Sequence, residues 1–223
     1  VTPVSYDSIS NRIFCCYAEG VTDEIVGPGC PVLFMPDALR FLSIMVRLFI
    51  AIEIPEEIRS QYAEAQEMIR SSRSRLTMVH PDQMHITLKF IGEVEGSRLP
   101  PITAALQTVT GSPFTLDLGA ITLNSPRSPR VIWGDLHDPG DCNTLVSAIE
   151  KVLVPQGIPA EGRRFRPHIT LARIRQSHPD IFKEVAGISS SCSGSFSVDR
   201  FVLKKSELTP QGPIYSDLME VGL

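Results

Sequence analysis

The chain has 223 residues, 43% hydrophobic and 21% charged, an ordinary globular balance that excludes disorder along its whole length. A net charge of −4 argues against a protein that coats DNA through bulk charge, but leaves room for a local basic patch. The five cysteines (15, 16, 30, 142 and 192) are odd in number and form no Cys-x-x-Cys pair. That excludes a disulfide framework or structural zinc as a first reading and points to free thiols in a reducing cytoplasm.

Residues 1–44 hold no sustained period and mix Gly27, Pro28, Gly29, Pro31 and Pro36 with paired cysteines. They are expected to be a poorly ordered extension, with Met45 as the true translation start and residues 45–223 as the working domain. The apolar run 31–54 is interrupted by Pro36, Asp37, Arg40 and Arg47, too often for a span of about 20 apolar residues. No membrane attachment is expected.

From Met45 the elements alternate. The spacing predicts a strand over Val46 to Ile54 and a helix over Pro55 to Ser71, where Ile58, Tyr62, Ala65 and Ile69 share one face. A strand over Met84 to Ile91 should end at Gly92, and a helix follows over Pro100 to Val109. Phe114 to Leu123 and Arg130 to Leu136 read as strands with no room between them for a crossover helix, so part of the sheet should be antiparallel. A helix over Asn143 to Val154, capped by Asp141, leads to a strand over Phe165 to Ile174 and a short helix over Pro179 to Val185. The tail, Ser195 to Leu203 and Tyr215 to Val221, reads as two strands around "TPQGP". The fold class is α+β with two lobes.

Two of these strands carry the same four letters. "HITL" occurs at 85–88 and again at 168–171, 83 residues on. Alternate side chains share a strand face, so His85 and Thr87 point one way and Ile86 and Leu88 the other. The same parity sets His168 and Thr170 against Ile169 and Leu171. Two lobes that each lend one such strand to a groove would oppose two imidazoles, which can divide acid and base duties near neutral pH, with two hydroxyls beside them as donors to an anionic oxygen.

The paired motifs, together with "RLFIAIEIP" (47–55), "HITLKFIGEV" (85–94), "RFRPHITLARI" (164–174) and "SELTPQGPIYSDL" (206–218), resemble the 2H phosphoesterase superfamily. Within it, they are most similar to the archaeal and bacterial RNA 2′,3′-cyclic phosphodiesterases, also called 2′-5′ RNA ligases. The resemblance spans Met45 to Leu223. It implies a bilobal fold of two pseudo-symmetric sheet-plus-helix lobes around a V-shaped cleft; separately, a monomer is expected. It also implies opening of a 2′,3′-cyclic phosphate at an RNA end to a 2′-phosphomonoester, with no metal and no cofactor. His85 would then donate the proton to the departing 3′ oxygen, His168 would activate water, and Thr87 and Thr170 would hold the non-bridging oxygens. ATP-independent ligation would use the same groups, with an RNA 5′-hydroxyl as the attacker.

Around the second motif, Arg163, Arg164, Arg166, Arg173 and Arg175 lie among no acids. Arg166 shares the parity of His168 and is the better phosphate contact. Arg173, five residues on, is a candidate RNA contact, although it falls on the opposite face unless the strand bulges or ends there. Phe165 is a candidate base-stacking residue, although its parity puts it with the core. Lys204 is a further candidate RNA contact. The competing reading of the arginines is a solvated strand edge. Trp133 is expected in the core, and His80, His137 and His178 on the surface. Two histidines without a converging third ligand do not make a zinc site. The rival to an enzyme is a non-catalytic module that grips RNA ends, and it would not need both histidines.

Overall fold

The computed structural model describes residues 5–7, 12–14, 45–210 and 212–223. The chain divides into two units, Val1–Leu42 and Ser43–Leu223. In the first, β1 (Ser5–Asp7) and β2 (Arg12–Phe14) pair antiparallel. The remainder of the expected extension lies outside the described residues.

The second unit is built on one nine-stranded sheet. Its strands are β3 (Met45–Glu53), β4 (Arg75–Met78), β5 (His85–Glu95), β6 (Phe114–Leu123), β7 (Val131–His137), β8 (His168–Gln176), β9 (Ser195–Val198), β10 (Arg200–Thr209) and β11 (Gly212–Gly222). The order is β11-β10-β3-β5-β8-β7-β6-β9, with β4 beside β8, and every pairing is antiparallel. The sheet is therefore two wings joined at β5–β8, where the register pair is Ile86 with Ile169.

Four helices back the wings. They are α1 (Glu56–Met68), α2 (Leu99–Leu106), α3 (Asp141–Leu153) and α4 (Ile181–Gly187). Helices α1 and α3 each follow a strand of one wing and cover the other. From α1, buried Gln66 donates to the carbonyls of Val79 and Leu171, both at 2.8 Å, and Tyr62 lies against Gly134 of β7. From α3, Glu150 accepts from Lys89 of β5 at 2.8 Å. This exchange of helices ties the two wings into one core, in which Ile50, Ile86, Leu106, Ile132, Ile149, Ile169 and Phe201 are fully buried. Each such side chain contributes roughly 1.5–3 kcal/mol of burial free energy.

A Cβ at Gly134 would stand 2.4 Å from the Tyr62 hydroxyl oxygen, so this strand position has to be bare for α1 to seat. Gly134→Ala is expected to cost about 1–3 kcal/mol through overpacking, read as a lower urea midpoint at unchanged m-value.

Three local expectations are corrected. Gly92 does not end its strand: at φ 86° it sits within β5, beside a register shift, and pairing continues to Glu95. The N-cap of α3 is Gly140, and not Asp141, which lies in the first turn; Asp138 Oδ1 accepts from the backbone N–H groups of Gly140 and Cys142. The strand expected from Phe165 begins at His168, because residues 158–167 form a loop outside any helix or strand. The short β4 was not foreseen at all.

Candidate active site

The Ile86–Ile169 pair sets the site. Antiparallel pairing there places His85 across from Thr170 and Thr87 across from His168, while both isoleucines are fully buried beneath. All four polar side chains are half-buried on the opposite face. Among the described residues neither threonine hydroxyl has an intramolecular partner, so both are available as donors.

Each imidazole is oriented in the same manner. His85 Nδ1 lies 2.7 Å from the Gln83 carbonyl oxygen, and His168 Nδ1 lies 2.8 Å from that of Arg166. A carbonyl can only accept, so Nδ1 must carry a proton in both rings. Nε2 is left as the atom that takes or gives a proton.

The surroundings of the two rings differ. His85 packs on Phe49, with centroids 5.0 Å apart, and edge-on to Tyr215 at 5.4 Å. Burial among these rings is the main cause pushing its pKa down, to about 4. The Gln83 carbonyl works against that shift, and the positive charge of Lys204 adds to it. His168 stacks on Trp133 at 4.4 Å, with the Arg166 guanidinium over the indole at 5.4 Å. Trp133 is thus half-buried at the site and not in the core.

The wings mirror each other further. Each histidine pairs with a carboxylate residue on the neighbouring strand, Glu53 with His85 and Asp135 with His168. Each carboxylate holds a cation: Lys204 is 2.8 Å from Glu53, and Arg166 is 2.7 Å from Asp135. Lys204 is buried and also bound by Asp217 at 2.5 Å, so its ammonium is shared between two carboxylates beside the His85 ring.

The fourth letter of each motif is a bulge. Thr87 pairs with Ala51 and Lys89 with Ile50, which leaves Leu88 unmatched. On the other wing Thr170 pairs with Trp133 and Ala172 with Ile132, which leaves Leu171 unmatched. Two successive buried residues then reverse the parity. Five residues beyond each histidine the side chain returns to the histidine face, and those side chains are exposed Phe90 and exposed Arg173. Strict alternation put Arg173 on the far face; the bulge moves it. Its charge is felt by Tyr215 across the cleft. Phe90 was not singled out from sequence, although it holds the same place after the first motif as Arg173 after the second. Phe165 lies in the loop, half-buried and packed on the core.

A cavity of about 410 Å³ opens beside His85, walled by Glu53, Gln83, Lys204, Tyr215 and Asp217. Among the described residues no cluster of His, Cys, Asp and Glu could hold a metal ion, and no helix is long and apolar enough to cross a membrane.

Two antiparallel wings, each presenting a His-x-Thr pair at a shared seam, define a two-histidine phosphoesterase. Residues 52–133 and 138–215 match the LigT-like phosphoesterase model, and the chain belongs to that family. It is 34% identical over 174 residues to an RNA 2′,3′-cyclic phosphodiesterase of Archaeoglobus fulgidus, covering 78% of this chain and 98% of that protein. Identity to the protein of the same name from Methanothermobacter thermautotrophicus is 33%, with 78% and 96% covered. The crystal structure of TT0787 from Thermus thermophilus superposes with a TM-score of 0.67 at 30% identity, covering 79% of this chain and 97% of that one. E. coli LigT complexed with 3′-AMP gives 0.65 at 26%, with 80% and 98% covered.

Proposed function

We propose that this protein hydrolyses the 2′,3′-cyclic phosphate at an RNA 3′ end to a 2′-phosphomonoester, by acid–base catalysis between His85 and His168 without a metal. The observation that carries this reading is the seam itself: two imidazoles with Nδ1 tied to carbonyls, and two uncommitted hydroxyls between them. The names of the A. fulgidus and M. thermautotrophicus relatives support the substrate class.

Water attacks phosphorus as His168 Nε2 takes its proton. The new P–O bond forms opposite the breaking P–O3′ bond, and His85 Nε2 gives its proton to O3′. Thr87 and Thr170 donate to the non-bridging oxygens, where charge accumulates. The phosphate stays on O2′, and the two histidines exchange protons with solvent to reset.

An RNA oligonucleotide with a 2′,3′-cyclic end, incubated with the protein in EDTA and followed by 31P NMR, is expected to give the 2′-monoester signal. A cyclic end that remains intact while the RNA binds would replace the enzyme with an end-binding module.

The low pKa of His85 gives this reading a pH signature. In the empty cleft His85 is neutral at pH 7, yet a proton donor must be charged. The cyclic phosphate is an anion, and its charge beside the ring favours the imidazolium. Between the free pKa of about 4 and the higher pKa in the complex, binding therefore takes up one proton. Affinity for a non-hydrolysable cyclic-phosphate nucleotide should fall as pH rises from the free to the bound pKa, by up to about tenfold per unit, and level off above the bound one. The same low pKa, taken alone, fits exchanged roles with His85 as base. Affinity that stays level from pH 5 to 8 would select that exchange.

A further inference from the structure

We infer that Asp135 is a positioning residue for His168, acting through Arg166: its carboxylate anchors the Arg166 side chain, and so fixes the backbone carbonyl that sets the His168 tautomer. This rests on the proposed role of His168 and adds a residue to it.

The two histidines donate the same hydrogen bond to carbonyls with very different supports. The Gln83 carbonyl belongs to a 3-10 turn over Pro81–Gln83, closed by Gln83 N–H to the His80 carbonyl at 2.8 Å and Met84 N–H to the Pro81 carbonyl at 3.0 Å. The Gln83 side chain also donates to the Pro213 carbonyl of β11 at 2.6 Å. Arg166 has no such turn. It ends the 158–167 loop, where no ladder holds the backbone, and Pro167 after it has no N–H to lend.

What holds Arg166 is its side chain. The guanidinium reaches Asp135 Oδ2 at 2.7 Å and lies over Trp133. Asp135 is itself placed by register, since it pairs with His168 across β7–β8. Its Oδ2 also accepts from Thr122 at 3.3 Å, and Thr122 accepts from Trp133 Nε1 at 3.0 Å. Its Oδ1 is buried without a partner, so the Oδ2 contacts carry the restraint. Trp133 closes the loop by stacking on His168. The chain Asp135–Arg166–carbonyl–Nδ1 keeps Nε2 unprotonated, which is the form a base requires. The restraint can be modest, because the two neutral tautomers of imidazole differ little in energy.

The guanidinium that sequence parity assigns to phosphate thus holds Asp135 through one nitrogen. Its contribution is to the ring two residues on.

The test is 15N NMR of the imidazoles in the full-length protein, with His168 assigned by its loss in His168→Gln, alongside steady-state kinetics. Wild type should show His168 as the Nδ1–H tautomer. In Asp135→Asn, which keeps the shape and removes the charge, and in Asp135→Ala, the Nε2–H form should appear. Then kcat should fall about 10–100-fold with KM changed by less than about threefold, and Asp135→Glu should recover part of both. An unchanged tautomer in Asp135→Asn overturns the inference whatever kcat does. So does a changed tautomer with kcat unchanged. Failure of wild type to open a cyclic phosphate would instead overturn the functional reading, and leave the tautomer result standing.

Discussion

His85→Ala and His168→Ala are each expected to lower kcat/KM on a cyclic-phosphate RNA end by about 10²–10⁴-fold, the usual worth of one acid or one base. Both rings are half-buried and neither fills the core beneath, which is made by Ile86 and Ile169. The variants should therefore keep wild-type circular dichroism and melting behaviour while losing activity. The two losses should not add. Both protons move in one displacement, so the double variant falls little below the worse single one, down to what positioning alone supplies. Activity within about threefold of wild type in either single variant would contradict a two-histidine mechanism.

The second large effect falls on the hydroxyls. Thr87→Val and Thr170→Val keep shape and remove one donor each, and each is expected to lower kcat about 10²–10³-fold. KM should move much less, because the non-bridging oxygens carry their extra charge only in the transition state. Thr→Ser at either position keeps the donor and should retain most of the activity. Steady-state kinetics on a short cyclic-phosphate oligonucleotide separate the two parameters. If valine raised KM and left kcat intact, the threonines would be ordinary binding groups.

The repeated "HITL" was enough to read two strands with one polar face each, because strand parity is a local property of the chain. It also located the four site residues that the seam brings together. What parity cannot carry is a bulge. Leu88 and Leu171 are unmatched only by virtue of how β3 and β7 run beside them, and that register depends on residues far away in sequence. Parity therefore puts Arg173 on the far face except where the strand bulges, and the bulge is what brings both Arg173 and Phe90 to the histidine face. The position of Gly92 shows the same limit, since a positive φ inside a strand and one at its end look alike in sequence.

The cations around the histidines were legible as residues but not as partnerships. Charge alone marks Arg166 as a phosphate contact and Lys204 as an RNA contact, but not the carboxylates that hold them. In the folded protein each is met by carboxylates of other elements, Glu53 and Asp217 in one case and Asp135 in the other. Trp133 was assigned to the core on hydrophobicity alone, whereas its register opposite Thr170 brings it against His168. The Asp138 contacts were missed because the side chain reaches forward over Pro139 to the helix from outside its first turn.

The division of labour between the two histidines is best tested by a 2′,3′-cyclic substrate in which sulfur replaces the bridging 3′ oxygen. A thiolate leaves without a proton, so loss of the acid no longer matters while loss of the base still does. With His85 as donor and His168 as base, the sulfur substrate should restore His85→Ala to within about tenfold of wild type. His168→Ala should stay as impaired as on the oxygen substrate. Restoration of His168→Ala, or of neither variant, would contradict the roles given to the two rings.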